Sequence, residues 1–582
     1  MENSVLEKET SQPSNGDSSG TDVTESTREE KETYLRPQGY QAVTLSPVSS
    51  RPSARASLHH TRSYVDGHGY YSDDGRENDQ DAGQQVDVEG APDKAFEVQW
   101  DGPNDPMNPK NMSTARKWLI VIILAFGSLC VTCTSSLYTI TYGLSSPCLL
   151  ISDPNLTILT EKMDAEFGNS RIVATLGLTL FVFGLGLSPM ILGPLSEFYG
   201  RRPIYIFAYV FFTIWLIPCA VARNIQTMLI ARFFDGFSGS AFLSVAGGTV
   251  GDMFNRDQLQ APMMIYTASP FIGPGLGPII GGFINYNTSW RWSYYVLLIW
   301  SGMMLVTITL FVPETYMPVL LRKKAQKKRK ETGDERWKAP IEVSDKSVFW
   351  TVVKSLYRPF MLLFMETMCF NLCLLSAILL GILYLFFGAF HQVFTAVYDF
   401  NTWQVGLSFL GLLTGMILAI ASDPIWHWNY LRLLRNVETK TGERKSEPEF
   451  RLPPSIVGPW FCVVGLFWFA WTIYPDIHWI VPIVATGFFG FGVILTFSGV
   501  FTFLVEAYPL YAASALSANS FARSAFAGAF PLFGTAMYNK LNFHGASTLL
   551  ACLCLAMAPF PYLFFIYGKR LRKKSRFSNL SG

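Results

Sequence analysis

Arg232 and Asp235 stand three residues apart in Leu229–Ala241 (LIARFFDGFSGSA), a stretch that otherwise carries no charge. At membrane depth a guanidinium costs roughly 2.5–3.5 kcal/mol or more, so it needs a partner or a water-filled cavity. Two readings stand. The pair is a structural ion pair within reach along one helix, or Arg232 faces a water-filled cavity. Glu366, Glu506 and Arg523 are also embedded in apolar sequence. A carboxyl in an apolar cavity keeps its proton to higher pH, and can load and release it near neutrality. Glu366 is the candidate for such a site in the second half of the chain. Glu506, in Glu506-Ala-Tyr-Pro509, reads equally well as a cap on the inner end of a helix. No enzyme constellation accompanies these charges: G-x-S-x-G, H-E-x-x-H and the nucleotide loop G-x-x-x-x-G-K-[ST] are all missing. Cys130 and Cys133 lack the second pair or the histidines of a zinc site, so no metal is expected. The expected chemistry is proton movement, with no cofactor and no catalysis.

The elements that must hold these charges are helices in lipid. The chain has 582 residues, 49% hydrophobic and only 15% charged, against about a quarter charged in soluble proteins. Residues 1 to ~95 are polar and aperiodic, and read as a disordered tail without a signal-peptide core. From Trp118 onward, apolar runs of about 20 residues, the length that crosses a bilayer, fall near 118–141, 172–192, 203–222, 226–248, 262–284, 292–312, 359–389, 402–422, 455–474, 479–505, 514–537 and 546–567. On these bounds Glu366 sits about eight residues inside the seventh span. Basic residues crowd alternate loops: Arg201 and Arg202, the run Arg322–Lys330 (RKKAQKKRK), and Lys569–Arg576 after the last span. The asymmetry places both termini in the cytoplasm. The basic runs read as anchors for anionic lipid rather than for nucleic acid. The sequons at Asn155 and Asn287 then face outward as glycosylation sites. The resulting division is a tail (1–115), a six-helix bundle (116–312), a cytoplasmic loop (313–357), a second six-helix bundle (358–567) and a basic tail (568–582).

Two stretches are shaped for contact rather than chemistry. In Ser269–Gly282 (SPFIGPGLGPIIGG), Gly273, Gly277 and Gly281 recur every four residues and bare one helix face to another backbone. Pro270, Pro274 and Pro278 repeat at the same interval and forbid a straight helix; Gly282 closes the run. In Gly193–Arg202 (GPLSEFYGRR), Glu197 can pair with an arginine or cap a helix N-terminus, a contact that can form in one conformer and break in another.

On these residues the chain resembles the major facilitator superfamily, and specifically the fungal twelve-span drug:proton antiporters, over roughly Trp100–Tyr567. Gly193, Glu197, Gly200, Arg201 and Arg202 match the superfamily's loop between spans two and three, with glutamate for the usual aspartate and Phe198 where a basic residue is usual. Arg232 and Gly236 match its fourth-span pattern, and Ser269–Gly282 its antiporter motif. The resemblance implies an all-α membrane fold of twelve helices in two bundles. It further implies a conformational latch at Glu197–Arg202 and proton coupling at Arg232. The expected activity is export of hydrophobic drugs, fungicides or toxins by a monomer in the plasma membrane, driven by protons. Tyr138, Tyr142, Phe370 and Tyr384 are expected to line the cavity. A polyamine or other metabolite exporter of the same fold is the alternative, and a membrane-embedded enzyme the one from another class. A sugar porter fits less well, because Val312-Pro-Glu-Thr-Tyr316 stands where those carry an Arg-rich element.

Overall fold

The computed structural model describes residues 96–102, 105–141, 163–255, 258–343, 347–442, 447–573, 575 and 577. Tyr142, Asn155 and residues 1–95 lie outside them. A helix covers each of the twelve apolar stretches, and no strand is formed among the described residues. Among the described residues, ten helices are long and apolar enough to cross a membrane by length and composition, or eleven if one bent pair is a single span. That pair is span two, Arg171–Leu187 and Pro189–Tyr199, bent by 41°.

Three local features relate that count to twelve. Span five, Gln260–Asn287, is a helix of 28 residues with Pro270, Pro274 and Pro278 inside it; its glycines and prolines dilute its hydropathy below the others. Ala512–Arg572 counts once, although Asn542 at φ 57° interrupts it and separates spans eleven and twelve. Val348–Met365 counts as well, but it ends at Glu366, whose φ of −110° and ψ of 106° break the helix before Thr367–Tyr398 begins.

This last break corrects the seventh span. The apolar helix Val348–Met365 runs directly into the span in sequence, so hydropathy alone starts the span at 359, inside that helix. Glu366 is the N-cap of span seven, not a residue eight positions inside it.

Spans one and five, two and four, and three and six pack together, as do seven and eleven, eight and ten, and nine with the helix pair at the end of the chain. Adding six to each number in the first set gives the second. The two bundles meet where span five lies on span eight and span two on span eleven, a pairing that the same rule maps onto itself. A duplicated half of this kind buries its functional charges at the interface of repeats.

Spans one and five touch because of the glycine stripe. A Cβ on Gly273 would stand 2.0 Å from Thr132 Oγ1, and one on Gly277 2.0 Å from Ser136 Oγ and 2.8 Å from the Cys133 carbonyl. Only hydrogen fits there. The opposite side of span five meets the other bundle, where Gly282 lies against Thr402 and Gly406 of span eight.

The segment around Val98 docks on the helix Met317–Thr332. Val98 N–H donates to the Lys338 carbonyl at 3.0 Å and Lys338 N–H to Phe96 at 3.1 Å. Lys324, from the basic run, is buried between Asp101 and Asp105, and Arg329 pairs with Glu342 at 2.8 Å. Part of the run read as lipid-anchoring is therefore engaged within the protein.

Candidate functional site

Arg232 sits on span four, whose first turn is capped by the Asn224 side chain accepting Thr227 N–H at 2.9 Å. Its guanidinium lies 4.2 Å from the Phe181 ring and 4.6 Å from the Tyr138 ring. Nη1 donates to the Thr134 carbonyl at 3.2 Å and stands 3.6 Å from Asp235 Oδ2, with both side chains fully buried. The pair is incompletely satisfied. Nε and Nη2 of Arg232 have no hydrogen-bond partner, and neither has either carboxylate oxygen of Asp235. A buried carboxylate normally gathers several donors. This one has only the electrostatic pull of a guanidinium.

Tyr138 and Tyr384, expected cavity aromatics, flank this region. Tyr138 is buried and donates to the Ala174 carbonyl at 2.7 Å, while Tyr384 OH lies 3.0 Å from Ser135 Oγ and joins span seven to span one. Phe370 is 40% exposed, one turn into span seven.

The loop Gly193–Arg202 forms the second cluster. Gly200 takes φ 100°, a conformation that favours glycine, and a Cβ there would strike the Glu314 carboxylate at 2.4 Å. That carboxylate covers the N-terminus of span three and accepts N–H groups from Arg201 at 2.9 Å, Arg202 at 3.2 Å, Thr315 at 3.0 Å and Tyr316 at 2.9 Å. The side chain of Arg201 turns inward to Asp252 at 3.3 Å and Ser196 Oγ at 2.6 Å, over the Tyr316 ring. Glu197 acts on Arg201 electrostatically. Arg202 donates outward to the Thr309 carbonyl at 2.9 Å, and the Cβ position of Gly193 faces open space.

Asp252 and Glu314 were not picked out from the sequence. The signal available was positional: both are lone carboxylates at span ends, at the level of Arg201.

The remaining charges are not brought together. Glu366 is held at the start of span seven by Ser575 Oγ at 2.7 Å and Tyr508 OH at 3.3 Å. Glu506 pairs with Arg451 at 2.7 Å, each side chain 30% exposed. Arg523 on span eleven has its guanidinium among Phe271, Phe497 and Phe501. Asn287 is exposed at the end of span five, its amide donating to the Phe283 carbonyl. Near it, Arg291 pairs with Glu166, and this hydrogen bond holds the Glu166 carboxyl below its usual range.

Comparison with known proteins places the chain in a family. Residues 124–531 match the family model described as the Major Facilitator Superfamily. The chain is 54% identical over 484 residues to the efflux pump atB of Aspergillus terreus, covering 83% of this chain and 90% of that one. It is 42% identical over 472 residues to the probable drug/proton antiporter YHK8 of Saccharomyces cerevisiae, covering 81% and 87%. Among solved structures, the proton:xylose symporter XylE superposes with a TM-score of 0.53 at 15% identity, over 78% of this chain and 97% of that one. At that identity the likeness is one of fold.

Proposed function

We infer that this chain, which belongs to the major facilitator superfamily, is a proton-coupled efflux transporter of hydrophobic drugs or toxins. It is a multi-pass membrane protein, and its relatives are named as efflux pumps and drug/proton antiporters over most of their length. The finer reading is export across the plasma membrane by alternating access, with the bundles rocking about the span five–eight and two–eleven seams.

The observation that carries the reading is the Arg232–Asp235 pair. It is sealed from solvent, 3.6 Å apart, and its carboxylate accepts no hydrogen bond. Proton arrival at Asp235 frees Arg232, and loss of that proton restores the pair, so the two protonation states favour different packings of spans one, two and four. One proton falling through 100 mV releases about 2.3 kcal/mol, which supports an approximately fiftyfold concentration ratio. The cytoplasmic cluster of Arg201, Asp252, Glu197 and Glu314 serves as the latch that opens and closes with that change.

The polyamine alternative is disfavoured by the state of the carboxylates. A polycation needs acidic groups open to the cavity, whereas Asp235 is fully buried and Glu366 is 7% exposed and hydrogen-bonded.

Arg232→Ala tests the reading. In vesicles with an imposed acid gradient, the variant should reach the membrane at normal levels and extrude no drug. Normal extrusion by Arg232→Ala, or wild-type extrusion indifferent to a protonophore, overturns it.

A further inference from the structure

Among the described residues, Arg523 has an environment unlike that of any other deep charge. It lies eleven residues after Ala512, the first residue of its helix, about 16 Å along the axis and so near the middle of a bilayer core about 30 Å thick. Three phenyl rings surround its guanidinium: Phe501 at 4.8 Å, Phe497 at 5.3 Å and Phe271 at 5.9 Å. Phe497 and Phe501 belong to span ten, and Phe271 to span five of the opposite bundle, with 5.1 Å between the Phe271 and Phe497 ring centres. The cation therefore lies on the seam between the halves. The groups that act on it electrostatically are the Cys373 thiol and the Tyr384 phenol, neither charged at neutral pH.

Among the described residues Arg523 forms no ion pair and no hydrogen bond, and its Nε is sealed without a partner. The side chain as a whole is half-buried, and Nε alone of its nitrogens is both sealed and without a partner. One turn earlier on the same face, Asn519 is fully buried and both its amide nitrogen and its amide oxygen lack partners. Arg232, by contrast, has Asp235. Ring faces offset only part of the cost of an unpaired buried cation. A fork of planar donors lined by phenyl rings is the arrangement that takes a carboxylate bidentately while burying an apolar body beside it.

We propose that Arg523, with Asn519 beside it and Phe271, Phe497 and Phe501 around it, is the subsite for the carboxylate of hydrophobic organic acids, which form a substrate class of this transporter. The proposal rests on the efflux reading for its physiological meaning, but its chemistry is tested apart from transport. Arg523 was expected from the sequence to belong to the proton-coupling set; the absence of a carboxylate beside it argues for substrate recognition instead. The subsite also gives directionality a simple form, since an acid held at the seam must leave its cation when the bundles separate Phe271 from Phe497.

The test is equilibrium binding to the purified full chain in detergent, at neutral pH with no gradient. The probes are an arylcarboxylic acid such as 4-biphenylcarboxylate and its neutral primary amide, which matches it in size. The wild type should bind the acid at least tenfold more tightly than the amide. Arg523→Gln should bring the ratio close to one, mainly by weakening the acid, and Arg523→Lys should keep a severalfold preference, having the charge without the fork. A wild type with no acid preference overturns the proposal whatever the variants do, and so does a preference that survives in Arg523→Gln. If Arg523→Gln does not fold, the wild-type ratio and the Lys variant decide, and an undiminished ratio in the Lys variant removes the bidentate fork from the account. Vesicles that bind the acid through Arg523 but export nothing under a gradient would sink the efflux reading and leave this one standing.

Discussion

Glu314 and Arg201 are joined across 113 residues by a hydrogen bond from the Arg201 backbone N–H, 2.9 Å long. The carboxylate takes three more N–H groups besides, so one side chain closes the start of span three and the end of span six together. Carboxylates at helix N-termini typically contribute up to about 1 kcal/mol through the macrodipole, and unsatisfied buried donors cost about 1–3 kcal/mol. Glu314→Ala should therefore lower the thermal unfolding midpoint of the purified protein by several degrees, with a loss of about 2–3 kcal/mol. Glu314→Gln, which keeps one acceptor oxygen, should lose roughly half as much. A midpoint unchanged in both variants would show that the carboxylate does not tie these ends.

The sequence made the packing faces readable and the latch only half so. Gly273 and Gly277 announced a close helix contact because period and residue size are local properties, and the contact is there against Thr132 and Ser136. Arg201 was readable as a loop cation, but Asp252 and Glu314 reach it from two other helices, and no local pattern encodes that meeting. Glu366 was misplaced for a similar reason. Val348–Met365 is apolar enough to pass for membrane sequence, and hydropathy does not reveal the backbone turn that ends it. The orphaned amide of Asn519 lies wholly in tertiary structure.

The glycine contact gives a second prediction. Gly277→Val places branched carbon where Ser136 Oγ would be 2.0 Å from a Cβ and the Leu137 amide nitrogen 2.8 Å from it. Overpacking of this severity costs about 1–3 kcal/mol or more. The variant should reach the membrane at a small fraction of the normal level and elute as aggregate by size-exclusion chromatography. Gly193→Ala is the matched control, since its Cβ meets nothing within 4 Å, and it should elute as the wild type does. Equal profiles for both variants would refute the close approach of spans one and five.

Asp235→Asn separates coupling from binding. The amide retains the size of the carboxyl but carries no titratable proton, and it leaves Arg232 permanently without its charge partner. Drug added to vesicles of the wild type should release protons, detected by an internal pH dye. The Asn variant should release none and should show at least a tenfold loss of gradient-driven export. Drug binding should fall much less, because Asp235 is fully buried. Proton release undiminished in Asp235→Asn would move the coupling site elsewhere in the protein.

The strap formed by the docked segment around Val98 gives a pH-dependent prediction outside the spans. The Lys324 ammonium holds the Asp105 carboxyl at a pKa of about 2, against 3.8 for the free group. A carboxyl lowered on docking stabilises the docked form above its ordinary pKa, and that contribution disappears as the pH falls through 3.8 toward 2. The difference of nearly two units corresponds to about 2 kcal/mol, and the Asp105 side chain is only 3% exposed, so solvent screens little of it. Lys324, conversely, is raised; its contribution holds below the ordinary lysine range and is lost above it. The strap should thus be fully closed from about pH 5 to 9 and loosen on the acid side below about pH 4. Its reporter is the Val98 amide, bonded to the Lys338 carbonyl. After correction for intrinsic exchange, protection of that amide should be level from pH 5 to 8 and fall between pH 4 and 2.5. Asp105→Asn should lower it at least tenfold at pH 7 and flatten the profile, because the titrating group has gone. A wild-type profile that stays level to pH 2.5 would show that Lys324 and Asp105 do not hold the strap.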